Sequence, residues 1–168
     1  GLACGADGEL WACTATAIGR LEHGKLRSFL DATDGIPGHL TQLIVDPRGG
    51  LWFGTDGYGL GGWLDGRVTL LRKGGRIDTE TIWCLLFDRD GSLWAGTFAL
   101  GLHCLREGSI VTVSVAEGLS HHDIRTVCET PDGSVWVGTP AYGLGRIRGE
   151  EVTNLTTDDG LLGNSVSA

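Results

Sequence analysis

The chain has 168 residues, 41% hydrophobic and 20% charged, with 29 Gly, six Trp, five Cys and no Met. Gly at roughly one residue in six is more than twice the usual share, without the triplet period of collagen or the low hydrophobicity of a disordered chain. Thirteen basic against twenty-one acidic side chains give a net charge of −8, and no Lys/Arg stripe exists to neutralise a phosphate backbone, so nucleic acid is not an expected partner.

Taken in chain order, one text recurs four times. It runs Asp7-Gly8-Glu9-Leu10-Trp11-Ala12-Cys13-Thr14, then Gly49-Gly50-Leu51-Trp52-Phe53-Gly54-Thr55. It continues with Asp90-Gly91-Ser92-Leu93-Trp94-Ala95-Gly96-Thr97 and Asp132-Gly133-Ser134-Val135-Trp136-Val137-Gly138-Thr139. The Trp intervals are 41, 42 and 42. A Gly-Leu pair follows in three copies (Gly59-Leu60, Gly101-Leu102, Gly143-Leu144), while the first copy is one residue short and keeps Ile18-Gly19, which accounts for the 41. A hairpin signature comes next in each copy, at His23-Gly24, Asp65-Gly66, Glu107-Gly108 and Gly149-Glu150. The unit closes at Asp34-Gly35-Ile36, Glu117-Gly118-Leu119 and Asp159-Gly160-Leu161, with Gly74-Gly75-Arg76 departing in the second copy.

Each copy holds four short apolar runs. In the third they are Thr81 to Asp88, Ser92 to Thr97, Gly101 to Leu105 and Ile110 to Val115, with turn residues between them and no window of helical spacing. Four strands per period of about 42 residues predict the blades of an all-β propeller, four blades in a single propeller unit spanning 1–168. The repeats are placed at 1–38, 39–79, 80–121 and 122–163, and 164–168 begin the next blade's first strand.

The stretch Ile82 through Leu102, with Asp88, Asp90-Gly91, Leu93-Trp94, Gly96-Thr97 and Gly101-Leu102, resembles the two-component regulator propeller repeat. Streptogramin lyases share looser versions of the pattern. The resemblance covers all four copies, with departures at Cys13, which replaces the Gly before Thr14, at Gly5 and Thr130, which replace the first Asp, and at Pro47-Arg48-Gly49-Gly50. It implies a non-enzymatic sensor, ligand-binding or protein-interaction module like the periplasmic or extracytoplasmic propellers of hybrid two-component systems, which are implicated in glycan-responsive signalling. The alternative it implies is a propeller lyase or hydrolase resembling streptogramin lyases.

The first residue sits inside a repeat, there is no initiator Met and no signal-peptide pattern, so the chain reads as an excised or engineered half-propeller. Its apolar runs, such as Ile82 to Phe87, are too short to span a membrane, and no membrane contact by this segment is expected. Family propellers usually need seven or more blades. Going from about 51° per blade to about 45° distorts the packing between blades less than going to about 90°. The expected assembly is therefore a homodimer closing an eight-bladed, two-fold ring, with a closed four-bladed monomer or a window of a longer ring as alternatives.

The five cysteines, Cys4, Cys13, Cys84, Cys104 and Cys128, show no metal-ligand spacing and read as free, mostly packed thiols. No metal and no cofactor are expected. Trp11, Trp52, Trp94 and Trp136 recur in register and are assigned to the structural core. Ligand-binding candidates come from positions where the copies differ. Eleven residues before each Trp stand Thr41, Trp83 and Arg125, and neighbouring loops carry His39, His122, Tyr58, Phe98 and Tyr142, a set suited to a small polar ligand such as a glycan. Adjacent residues of an extended run point to opposite faces, so His121-His122-Asp123 builds no triad by itself. His122 and Glu117 are the residues a lyase reading would use.

Overall fold

A computed structural model describes residues 1–71 and 76–167 of the chain. Gly74 and Gly75 of the departing second closing turn lie outside the described residues. The described chain forms sixteen strands in four antiparallel four-stranded sheets, each taken in chain order, and no α-helix.

Two compact bodies divide the chain, Gly1–Ile82 and Trp83–Ala168. In the first body, one sheet is β1 (Leu2–Cys4), β2 (Leu10–Cys13), β3 (Ile18–Glu22) and β4 (Lys25–Leu30). The other is β5 (Leu40–Val45), β6 (Leu51–Thr55), β7 (Leu60–Leu64) and β8 (Arg67–Leu70). Trp11, Ile18 and Leu30 of the one sheet pack with Leu43, Leu51 and Phe53 of the other in a common core.

The third sheet is β9 (Ile82–Phe87), β10 (Leu93–Thr97), β11 (Leu102–Arg106) and β12 (Ser109–Val113). The fourth is β13 (Thr126–Glu129), β14 (Val135–Gly138), β15 (Leu144–Arg148) and β16 (Glu151–Leu155). Cys84 and Leu102 here meet Ile124, Val135 and Val137. In the second, third and fourth sheets burial is densest on the second strand, where the run from Leu93 to Thr97 is interrupted only by half-buried Trp94. An antiparallel strand covered on both faces reads as a continuous apolar run rather than an alternating one.

The hairpin turns follow from their residues. His23-Gly24, Asp65-Gly66 and Glu107-Gly108 all carry two successive positive φ angles, such as 51° and 77° at Asp65-Gly66, the mirror-image turn whose twist matches the flanking strands. The closing segments, whose last strand run was expected to reach Val115, instead form single 3-10 turns at Ala32–Asp34, Val115–Glu117 and Thr157–Asp159. Each has a reciprocal capping box, Asp31 with Asp34, Ser114 with Glu117 and Thr156 with Asp159, and ends on a left-handed Gly.

The repeated Asp, Trp, Gly and Thr each have a mechanical task. The Trp52 indole N–H donates to Asp46 at 3.0 Å, that of Trp94 to Asp88 at 2.8 Å, and that of Trp136 to the Thr130 hydroxyl at 3.2 Å. Trp11 has Gly5 where the acceptor would stand, and its Nε1 is buried without a partner among the described residues. Trp11 lies in the buried core, whereas Trp52, Trp94 and Trp136 are half-buried. The Gly before each Thr makes room for the following first strand: a Cβ at Gly96 would run into Cys84 Sγ and stand 2.8 Å from Ile124 Cγ2. Thr55, Thr97 and Thr139 hydroxyls each donate to the carbonyl four residues on, Gly59, Gly101 and Gly143, and accept an amide from the loop between.

The thiols are free, and Cys84 is buried. Cys4 and Cys128 depart from the packed expectation: both are exposed, on the first strands β1 and β13.

Candidate functional site

The varied first-strand position has a different fate in each copy. Thr41 donates its hydroxyl to the Ile82 carbonyl at 2.5 Å, so it is occupied by backbone. His39 is exposed in a left-handed conformation, its carbonyl accepting the Asp56 amide at 2.8 Å. Tyr58 is exposed, and its amide is held by Thr55 Oγ1 at 3.1 Å. Each of these three first-body candidates is thus fixed through its own backbone or hydroxyl, with no ring contact among them in the described residues.

The second body brings its candidates together. Arg125 lies with its guanidinium 4.4 Å from the ring centre of Trp83, a stacking distance. One Nη of Arg125 donates to Asp123 Oδ2 at 2.8 Å, with the Asp123 side chain 8% and the Arg125 side chain 30% exposed. The Asp123 amide donates to His121 Nδ1 at 3.0 Å, and the His121 ring stacks on Tyr142 at 4.4 Å with 8° between planes. Ile124 fixes the run by donating its amide to the Thr97 carbonyl at 2.9 Å, and Arg125 donates its own to Gly138 at 2.9 Å. His122 and Phe98 stay exposed outside this chain of contacts, the His122 carbonyl accepting from the Gly101 amide.

Three buried polar atoms in this cluster have no partner among the described residues: Trp83 Nε1, Arg125 Nε and Asp123 Oδ1. Buried polar groups are nearly always hydrogen-bonded, so two spare donors and one spare acceptor in one place call for an explanation. Together they can take a polar molecule that offers acceptor oxygens and a donor. In the sequence Asp123 and His121 were read only within a run that builds no triad by itself, and neither was placed with Arg125. The alternation that separates His122 from Asp123 also places His121, Asp123 and Arg125 on one face, and that was the available signal.

Reactive groups are quiet. The Cys84 thiol beside this cluster is pushed up to about 12, by burial first and by the Asp123 charge in addition, which keeps it protonated and inert. Glu117 is engaged in its capping box, where the Ser114 hydroxyl and amide hold its carboxyl below the usual range. Among the described residues no group of three or more His, Cys, Asp or Glu can hold a metal ion.

Two segments, residues 76–99 and 118–141, match the two component regulator propeller model. No curated protein matches the chain. Solved structures share the fold. The chain superposes with a TM-score of 0.81 and 19% identity on the extracellular domain described as that of a hybrid two component system, BT3049 of B. thetaiotaomicron, covering 98% of this chain and 23% of that one. The extracellular domain of a one component system of the same organism, BT4673, gives 0.76 and 20% over the same shares. Virginiamycin B lyase from Staphylococcus aureus gives 0.67 and 23% over 92% of this chain and 54% of the lyase. The fold is therefore a β-propeller built of four-stranded antiparallel blades, and the chain spans about a quarter of the length of those extracellular domains.

Proposed function

From a chain that carries two component regulator propeller repeats, we propose a sensor-type propeller module that binds a small polar ligand, a glycan or acidic sugar, at Trp83, Arg125 and Asp123 without transforming it. The observation that carries this reading is the trio of unpartnered buried polar atoms around the Arg125–Trp83 stack. A guanidinium and an indole N–H suit acceptor oxygens, and Asp123 Oδ1 suits a ligand hydroxyl. A non-enzymatic role is supported by the inert Cys84 and by the engagement of Glu117 in a cap rather than as a poised base. An extracytoplasmic setting is supported by the two bacterial neighbours described as extracellular domains. No described helix is long and apolar enough to cross a membrane.

Calorimetric titration with D-glucuronate and D-glucose tests the reading. Saturable binding of D-glucuronate that weakens at least tenfold in Arg125→Met, with the sugar recovered unchanged, is the expected result. A sugar recovered cleaved or eliminated would overturn the non-enzymatic reading, and no binding of either sugar would overturn the site.

We further propose that two copies of this chain associate to close a ring of eight four-stranded blades, because closure removes unpaired sheet edges. Light scattering is expected to give about 35 kDa, twice the 17.7 kDa of one chain. A stable monomer would refute the association.

A further inference from the structure

A second cleft lies within the body Gly1–Ile82, between the sheets β1–β4 and β5–β8, with a volume of about 520 Å³, and it shares no residue with the Trp83 cluster. That volume suits a single small molecule. Its apolar wall is an edge-to-face run of three rings, Trp11 to Phe29 at 4.8 Å and Phe29 to Trp63 at 4.9 Å. Its polar lining includes Asp7, Glu9, Arg20 and Asp46.

The decisive feature is the Trp11 indole, 5% exposed, whose N–H has no acceptor among the described residues. In the other three sheets the residue six positions earlier accepts this bond, and here that residue is Gly5. A buried N–H without an acceptor bears its full desolvation cost, so an oxygen brought in from outside has a ready partner.

The surrounding charges define what can bring that oxygen. Arg20 is already engaged by Glu9 at 3.0 Å and by Glu22 at 2.9 Å, and it lies 5.6 Å over the Trp11 ring. Asp46 is spent on the Arg48 amide and the Trp52 indole. One already paired cation among three carboxylates repels an anion. An organic cation without oxygen would leave the indole unmet. A neutral polyol meets every demand: one hydroxyl oxygen accepts from Trp11, other hydroxyls donate to Asp7 or Glu9, and its C–H face covers the rings. We propose that this cleft is a binding site for a neutral polyol of hexose size.

The test follows the indole N–H resonances of the ¹⁵N-labelled chain during titration with D-glucose. The Trp11 signal is expected to shift saturably, while those of Trp52 and Trp94, whose N–H groups already have acceptors, stay in place. Sodium D-glucuronate is expected to act at least tenfold more weakly. Gly5→Asp supplies the acceptor present at Asp46 and Asp88. Gly5 does not have a positive φ, and a Cβ there stands 3.2 Å from the exposed Asp7 carboxylate and 3.6 and 3.8 Å from Glu9, so only the exposed Asp7 side chain must give way and the variant is expected to keep its fold, checked by its remaining resonances. It is expected to abolish the glucose shift. No Trp11 shift with glucose, an equal shift with glucuronate, or a shift that survives Gly5→Asp would each overturn the site.

Discussion

Replacing Arg125 by Ala isolates the energetics of the cluster on which the proposed function rests. The substitution removes a charge-assisted hydrogen bond of 2.8 Å to Asp123 and a guanidinium lying 4.4 Å from the Trp83 ring centre. Asp123 then keeps a carboxylate that is 92% buried, since its side chain is 8% exposed, with Oδ1 already lacking a partner. Stripping a fully buried pair of one member costs about 3–5 kcal/mol, largely because the other charge is left uncompensated. Arg125 is 30% exposed, so water already screens part of the pair, and the expected loss is nearer 2 kcal/mol. In a domain of this size that corresponds to a fall in Tm of about 4–8 °C. Urea unfolding of the parent, Arg125→Ala, Asp123→Asn and the double variant closes the cycle. If the stranded charge dominates, Arg125→Ala is the worst of the three and adding Asp123→Asn restores at least half of its loss. A double variant as unstable as the sum of the singles would refute the reasoning and reduce Arg125 to its packing.

Asp88 accepts the Trp94 indole at 2.8 Å and the amides of Asp90 and Ser92 at 3.0 and 2.8 Å, so Asp88→Ala is expected to cost about 2–3 kcal/mol in urea unfolding, and Asp88→Thr, the residue type the fourth repeat uses at Thr130, about half of that. Gly96→Ala is expected to destabilise by about 1–3 kcal/mol by the same measurement, with partial rescue from Cys84→Ala, because Ile124 still stands 2.8 Å from the added methyl. His103 is 5% exposed, and burial lowers its affinity for a proton below that of an ordinary histidine. With the folded value depressed, the unfolded chain takes up a proton that the folded chain refuses, so stability is full above the ordinary histidine range and falls as pH drops through it. The urea midpoint should decline from about pH 7.5 to about pH 5.5, and less steeply in His103→Gln.

The fold was legible because its signals are local and repeated. Four Trp in register, two-residue turns and Gly-Leu pairs fix strand, turn and period without reference to distant contacts. The 3-10 turns were missed although their sign is in the text. Asp31 with Asp34, Ser114 with Glu117 and Thr156 with Asp159 each carry an oxygen three residues ahead of a carboxylate, but a one-turn element leaves no periodicity to detect. At the site, Trp83 and Arg125 were legible from variation between copies, and their stacking was not, because their contact joins residues 42 apart in the chain. Gly5 was read only as a departure from the first Asp of the repeat. Its consequence, an indole stripped of its acceptor, depends on a pairing across the β1–β2 hairpin, where Ala3 rather than Gly5 faces Trp11 in register.

What the repeats hold constant and what they vary separate along physical lines. Gly96 and Gly138 face the next first strand so closely that any side chain would collide with it, and Thr97 and Thr139 close their loops from fully buried positions. Substitution there disturbs two sheets at once. The position paired across from each Trp carries no such demand: it is Arg20, Gly62, Cys104 and Arg146 in turn. The two arginines lie 5.6 and 5.5 Å over their indoles and bond to nearby acceptors, whereas Gly62 places no side chain over its ring. That position is half-buried at Arg20, Cys104 and Arg146 and buried at Gly62, and it takes three residue types without a shared contact being lost. Gly5 and Arg125 are changes of a different kind, because each leaves a buried polar atom unmatched, at Trp11 and in the Asp123 cluster. Among the described residues Asp78 Oδ1 and His103 Nε2 are also buried without a partner, but the Trp11 indole lines a cleft with Asp7 and Glu9, and the Asp123 cluster gathers three such atoms, which gives those two places a physical reason to take a ligand from solvent.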